Sequence, residues 1–345
     1  MRPCQKDNRS FFEKLQNCEG LDLRDRRGKR HDLAVVLVGV ALAVLSNRDG
    51  NLSSIHRHMV NHYEKLVDAL GIEKKRVVSR SQLPIILEKV EAEIFNQLLS
   101  ENFGIELNET EKEWFALDGK ELRGSIESGE KRGEVVVLAV AHETGETFCQ
   151  DYYSGKKESE VPTVRNLLQG NGLSKQKVSL DALHLKPLTL EIIAQSKGSY
   201  LVGLKENQKE LLKQVRHVAE NQPSLFQESE IEKGHGRIEE RSYEYFDLLE
   251  MEKEERFKNC KLKTAIKVIR FREEMKSGKR SFEQSYYLTN EVGNYEELSK
   301  AIRGHWRVET NNHIRDVSLK EDKFRSKKRS CKEQWQALGL WQQLF

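Results

Sequence analysis

The chain has no apolar run long enough to cross a bilayer, no Cys-x-x-Cys pair, no internal repeat, and no stretch rich in Pro, Gly or Ser. Each absence excludes something. The longest apolar run, Leu33 to Leu45, has 13 residues, whereas a membrane span needs about 20. The run starts far from Met1 and no Ala-x-Ala-type cleavage site follows it, so it does not read as a signal peptide. A buried helix capped by Asp32 is expected instead. The five cysteines (Cys4, Cys18, Cys149, Cys260, Cys331) are scattered and odd in number, which argues against a disulfide framework or a zinc site and for reduced thiols in a cytoplasmic protein. Charge is nearly balanced, 58 basic against 55 acidic residues for a formal net +3. Net charge alone therefore says nothing about a nucleic-acid partner, and that balance argues against wholesale disorder.

With 345 residues there is room for two domains or one elaborated domain. Residues 1–105 read as all-helical, with the run after Ser79 expected as one helix capped by Ser81, Pro84 in its first turn, reaching toward Leu99. Short helices with basic connections suit a helix-turn-helix DNA reader or a packing cap equally well. His56, His58 and His62 are spaced for one helix face and are expected to be solvated or to face DNA. From Glu113 the pattern turns to strands: one ending near Asp118, then Glu134–His142, then Thr147–Tyr153. A helix over 158–168, a strand Lys177–Leu183, a helix Pro187–Ser196 and a strand Tyr200–Lys205 follow. That order describes an α/β, ribonuclease H-like mixed sheet flanked by helices, here 110–205 plus 295–345. Residues 206–294 read as a β-rich insertion, and one long helix, Tyr295 to about Asp316, rejoins the core.

Three acids stand out. Asp118 and Asp181 each close an apolar run, and Glu309 lies in His305-Trp-Arg-Val-Glu309 on the last helix. A carboxylate closing a buried strand is costly to desolvate unless a cation or hydrogen bonds compensate it. On neighbouring strands the two aspartates can share a metal; Mg2+ suits oxygen ligands, and two ions can serve an in-line displacement at a phosphodiester, with Mn2+ a possible substitute. Helical spacing puts His305, His313 and Asp316 near the Glu309 face, flanked by Trp306 and Asn312. Lys120, Arg123, His184, Lys205, Arg237, Arg303, His305 and Arg307 are expected to contact DNA, and the runs Lys233–Arg241 and Lys323–Arg329 to follow its backbone.

These residues carry a resemblance. The chain resembles the H-repeat-associated DDE transposases of bacterial insertion sequences. The likeness runs through Arg24-Asp-Arg-Arg-Gly-Lys-Arg-His31, Asp118-Gly-Lys-Glu-Leu-Arg-Gly124, Lys157-Glu-Ser-Glu160, Leu180-Asp-Ala-Leu-His184, Tyr200 to Gln208, His235-Gly-Arg237, His305-Trp-x-x-Glu309 and Lys320-Glu-Asp322. It implies Asp118, Asp181 and Glu309 as the metal-binding triad, inverted repeats and target DNA as double-stranded substrates, and a homodimer on DNA in the nucleoid. Two departures bear on the register around Glu309: Asp316 stands where relatives often have Lys, and one residue is missing before Asp316-Val317.

The implied activity is metal-dependent cleavage at the element's ends and strand transfer into target DNA. A stand-alone ribonuclease H-like nuclease would need neither the helical front end nor the insertion. A transposase remnant acting only as a DNA-binding protein is the alternative. It gains from the tail, where the resemblance stops near Ser330. With permitted codon choices, shifting the reading frame by one nucleotide at Lys332 turns that tail into an apolar segment of the family's kind, so a frameshift, with lower stability and activity, is expected for this copy.

Overall fold

The computed structural model describes residues 9–317, apart from 47–51, 104–106, 109, 124–125, 127–128, 130, 155–158 and 235. His235, Gly124, Lys157, the Lys320–Asp322 and Lys323–Arg329 runs and the tail after Ser330 lie outside the described residues.

The front end is helical: α1 (Phe11–Gln16), α2 (Leu33–Leu45), α3 (Leu52–Leu70), α4 (Leu83–Leu87) and α5 (Ala92–Phe103). The Asp32 side chain accepts from the Ala34 amide at 2.8 Å, capping α2 as expected. Most of α2 is buried, with Leu37 and Val40 packed among Ile55, Leu83 and Phe95. Ser81 is not a cap. Gln82 takes that position, its amide held by the Ser79 hydroxyl at 3.3 Å, and the expected single helix is two. His56 turns inward to the Val78 carbonyl at 2.8 Å, while the rings of His58 and His62 lie 4.3 Å apart. Among the described residues no helix is long and apolar enough to cross a membrane.

The rest is a mixed α/β layer structure. Strands β1 (Trp114–Glu121), β2 (Glu134–Ala141), β3 (Thr147–Ser154), β4 (Lys177–Leu180), β5 (Ser199–Leu204), β6 (Phe226–Gly234), β7 (Arg237–Asp247), β8 (Thr264–Glu274) and β9 (Arg280–Thr289) form one sheet in the order β3-β2-β1-β4-β5-β9-β8-β7-β6. β1, β4 and β5 are parallel and the other pairings antiparallel. The strands within 206–294, the segment read as a β-rich insertion, extend the same sheet, and β6 is an edge strand that the sequence pattern did not reveal, because charged residues fill it.

Helices cover both faces, which is why β2 is apolar on both. One face packs Phe115, Leu117 and Val202 under α6 (Glu160–Gly170), α7 (Pro187–Gln195) and α8 (Lys209–Asn221). The other packs Ala116, Val136 and Leu138 under Val308, and Leu201, Tyr245 and Ile266 under Leu298 and Ile302. Those last residues belong to α9 (Tyr295–Gly304) and α10 (Trp306–Val317). The expected long helix is therefore broken at His305. Gly304 is a weak helix former; His305 keeps helical backbone angles and its amide bonds the Ala301 carbonyl at 3.1 Å, while its ring bonds Ser179 on the sheet at 2.9 Å.

Candidate active site

Leu117 of β1 pairs with Leu180 of β4. One residue further along each chain comes an aspartate, so Asp118 and Asp181 stand side by side at the carboxyl-terminal edge of the parallel strands. α10 crosses the adjoining face, burying Val308 on the sheet and leaving Glu309 exposed in its first turn. Asn312, one helical turn on, donates to Asp118 Oδ2 at 3.4 Å.

A fourth carboxylate completes the cluster. Glu160 sits in the first turn of α6 and reaches over Gly119, where a Cβ would lie 2.4 Å from its Oε2. A side chain at 119 would have to displace the Glu160 carboxylate. Glu160 Oε1 is 2.8 Å from His184 Nε2, and His184 is fully buried. The Asp118 carboxyl is pushed up to about 6, first by burial and then by Glu160, with Asp181 and Glu309 adding and the Gly119 amide opposing. Partial burial also raises Asp181, but the Ala182 amide and the Lys205 ammonium, 3.1 Å from Oδ1, outweigh it and hold this carboxyl below its ordinary value.

Behind the acids runs a chain of neutral groups. His142 Nε2 meets Ser179 Oγ at 2.8 Å, and Ser179 Oγ meets His305 Nδ1 at 2.9 Å. Burial, aided by His305 and Arg307, lowers His142 to about 3. Burial, aided by His184 and Lys205 against Asp181, lowers His305 to about 4. Both rings are neutral at pH 7, and folding prevents them from binding protons that the unfolded chain accepts below pH 6.5. Stability is therefore expected to fall as pH drops from about 6.5 toward 4, by on the order of 1 kcal/mol per pH unit for each ring. Asp118, whose carboxyl is raised, opposes this in the same window. The urea midpoint measured against pH checks it; a midpoint that rises on acidification would refute the burial of these rings.

Several expected DNA contacts are placed elsewhere. Lys120 is buried, 2.6 Å from Asp316, and His184 is buried against Glu160, so neither faces a ligand at the surface. His305 is committed to Ser179 and neutral, which removes it as a cationic phosphate donor. Arg303 is bound to Glu230 and Glu232, whereas Arg237 stands 3.5 Å from Glu239 and stays 44% exposed. Lys205 is exposed beside Asp181, while Arg123 and Arg307 are exposed. His313 is exposed and Asp316 turns to Lys120, so the single face expected around Glu309 is not formed.

The donor chemistry fits a hard divalent cation. Asp118 meets three carboxylates with no cation of its own, and the buried Asn312 Oδ1 beside it has no hydrogen-bond partner. As the side chains stand, no three acids, histidines or cysteines among the described residues close a metal shell. Asp181 is turned to Lys205 and Glu160 to His184.

The family model for the transposase DDE domain matches residues 109–339, two thirds of the sequence. The chain belongs to this DDE transposase family. The "Putative transposase YncI" of Escherichia coli O157:H7 is 25% identical over 326 residues, 90% of this chain and 81% of the relative. The "Putative protein YbfL" and the "H repeat-associated putative transposase YhhI", both of Escherichia coli K12, are 28% and 27% identical over 219 residues. Each of those alignments covers 61% of this chain and 58% of the relative, under two thirds of its length. A solved piggyBac transposase synaptic complex with hairpin DNA superposes with a TM-score of 0.46 at 10% identity, over 96% of this chain and 72% of that one, a likeness below the level that fixes a fold.

Within this transposase-family chain, two site residues escaped the sequence reading. Glu160 was visible only as the last member of Lys157-Glu-Ser-Glu160, with no strand end or helical spacing to tie it to Asp118. Asn312 was seen merely as flanking the Glu309 face.

Proposed function

We propose that this chain cuts and joins DNA, with Asp118, Asp181 and Glu309 holding the catalytic cations. The observation that carries this reading is the placement of Asp118 and Asp181 one residue beyond the paired Leu117 and Leu180 of adjacent parallel strands, with α10, which carries Glu309, packed on the same face through Val308. A bound divalent ion, two in the full form, would supply charge neutralisation and orientation at the phosphodiester. Asp118 would hold it from the buried side, with Asn312 steadying Asp118, and Asp181 would join once Lys205 is drawn to a phosphate. Water then breaks the P–O3′ bond at the element's end, leaving a 3′-hydroxyl, which attacks a target phosphodiester and releases that strand's own 3′-hydroxyl.

The proposal includes a ribonuclease H-like core (110–205 with 295–345), the β extension 206–294, and a helical front end (1–105) that reads DNA, in a homodimer on the nucleoid. Incubation with Mg2+ and a labelled fragment carrying the element's own ends tests it. Nicks at those ends are expected. Binding without nicks would instead favour the remnant reading.

The front end gives a second test. Arg24 is held by Asp22 at 2.8 Å and by the His31 carbonyl, and Lys29 lies 3.4 Å from Asp22. That leaves Arg26, Arg27 and Arg30 on the exposed turn before α2. Neutralising these three is expected to lower the log–log salt slope of DNA binding by about 2.7, at about 0.9 per phosphate contact. An unchanged slope would make the front end a packing cap.

A further inference from the structure

β9 pairs with β5 only from Tyr286 to Thr289. The row level with Asp118 and Asp181 passes through Gly203, Tyr287, Ile266, Tyr245 and Phe226. Residues 280–286 of β9 and 237–244 of β7 run past that row, on the edge where the aspartates sit. At about 3.3 Å per residue, the overhang is roughly 25 Å long, enough to flank a duplex.

Alternation assigns its faces. Arg237, Glu239 and Arg241 share one face with Arg270 and Arg272, because Arg241 pairs with Arg270 and Glu239 with Arg272. It is the face that α9 covers, since Tyr243 and Tyr245 follow in the same alternation beneath Leu298 and Ile302. Arg303 of α9 bonds Glu230 of β6 at 2.8 Å, which ties the overhang to the helix leading into α10 and Glu309.

At the centre of that face Glu239 is only 3% exposed. Its single carboxylate holds four guanidinium groups: Arg241 through Nη2, and Arg272, Arg237 and Arg270 through Nε at 3.1, 3.5 and 3.5 Å. These four arginines and Arg303 share the face with Glu230, Glu232, Glu239 and Glu283 and, by the same alternation, with Glu228 opposite Tyr243 and Glu274 opposite Arg237, so the face carries no net positive charge. What the face offers is therefore geometry more than bulk charge. Arg237 and Arg272 are 44% and 34% exposed and come nearest Glu239 through Nε, Arg272 as a hydrogen bond at 3.1 Å and Arg237 as a looser ion pair at 3.5 Å. A guanidinium fixed at Nε with both Nη groups outward is a preset fork for phosphate oxygens.

We propose that this Glu239-centred arginine face grips the sugar–phosphate backbone of the duplex whose phosphodiester lies at Asp118 and Asp181. The proposal rests on the DNA-cutting reading and adds a contact surface to it, with Arg237 and Arg272 touching phosphate and Glu239 as a positioning residue. Backbone contacts of this kind are independent of sequence.

The test titrates the full chain, without metal, against a fluorescent duplex of random sequence at several salt concentrations. Arg237→Gln with Arg272→Gln is expected to lower the log–log slope by about two. Lys267→Gln with Arg280→Gln removes equal charge from the opposite face, where these side chains pair with Glu244 and Glu273, and should leave the slope unchanged. A parental slope in the first pair, or equal losses from both faces, overturns the proposal. A parent protein that binds no duplex at low salt overturns the DNA reading itself. If the first pair unfolds the overhang, as a melting curve would show, Arg237→Lys with Arg272→Lys decides. That pair keeps the charge around Glu239 and loses the fork, so weaker binding supports the proposal and parental affinity overturns it.

Discussion

Asp118→Asn is expected to melt at a higher temperature than the parent protein in metal-free buffer near neutral pH, while losing all cleavage. The carboxyl is held at about 6 in the folded chain against 3.8 for an ordinary aspartate. Ionising it inside the fold therefore costs free energy. The sign is fixed by linkage: a raised carboxyl carries no penalty below about pH 4, and the full penalty appears above about pH 6. Discounted for the carboxylate's partial exposure, that penalty is on the order of 1–3 kcal/mol. An amide of the same shape never pays it. Asn should thus stabilise the apo protein at pH 7.5 and lose that advantage toward pH 5. Mg2+ should raise the melting temperature of the parent and leave the Asn variant nearly unmoved, because an amide is a far weaker ligand for a hard cation. Nicking should fall by about 10³-fold or more. DNA binding without metal should be preserved. If Mg2+ shifts both proteins equally, Asp118 is not a ligand, whatever happens to the cleavage rate.

The pairing of Asp118 with Asp181 was legible because both acids close apolar runs, and strand order alone makes those strands neighbours. The capped helix α2 was legible for a similar reason, as Asp32 precedes thirteen apolar residues. What failed to show in the sequence depends on contacts between distant segments. Lys120 looks like a surface cation beside an acid, and only the fold brings Asp316 from α10 to meet it in a buried position. β6 reads as a polar connection because its alternating glutamates are satisfied by Arg241 and Arg303 from other elements. That the strands of the β-rich segment continue the core sheet was not legible, because nothing in their own sequence tells that β9 will pair with β5. Periodicity carried the last helix straight through His305, because a period of 3.6 contains no information about what His305 will find on the sheet.

Replacing Gly304 by Ala is expected to be strongly disruptive although it lies outside the acid cluster. A Cβ at Gly304 would lie 2.2 Å from His142 Nδ1 and 2.7 Å from Cγ. The ring cannot swing away without cost. It is bonded to Ser179 at 2.8 Å and stacked on Trp114 with centroids 5.9 Å apart. Trp114 in turn donates to Glu297 of α9 at 2.7 Å, so the same helix clamps the ring from its other end. One methyl group must therefore push α9 off the sheet or expel the His142 ring, with an expected loss of about 2–4 kcal/mol. Either outcome moves the break at His305 and so the start of α10, which carries Glu309 and Asn312. Cleavage should fall further than stability alone explains, because a displacement of about 1 Å at a reacting centre can cost about 10²-fold. A double-mutant cycle separates the two causes. His142→Ala removes the atoms that the new methyl meets, so Gly304→Ala should cost much less in that background, with a coupling of at least about 1 kcal/mol. If the two losses simply add, the glycine is needed for something other than room for His142.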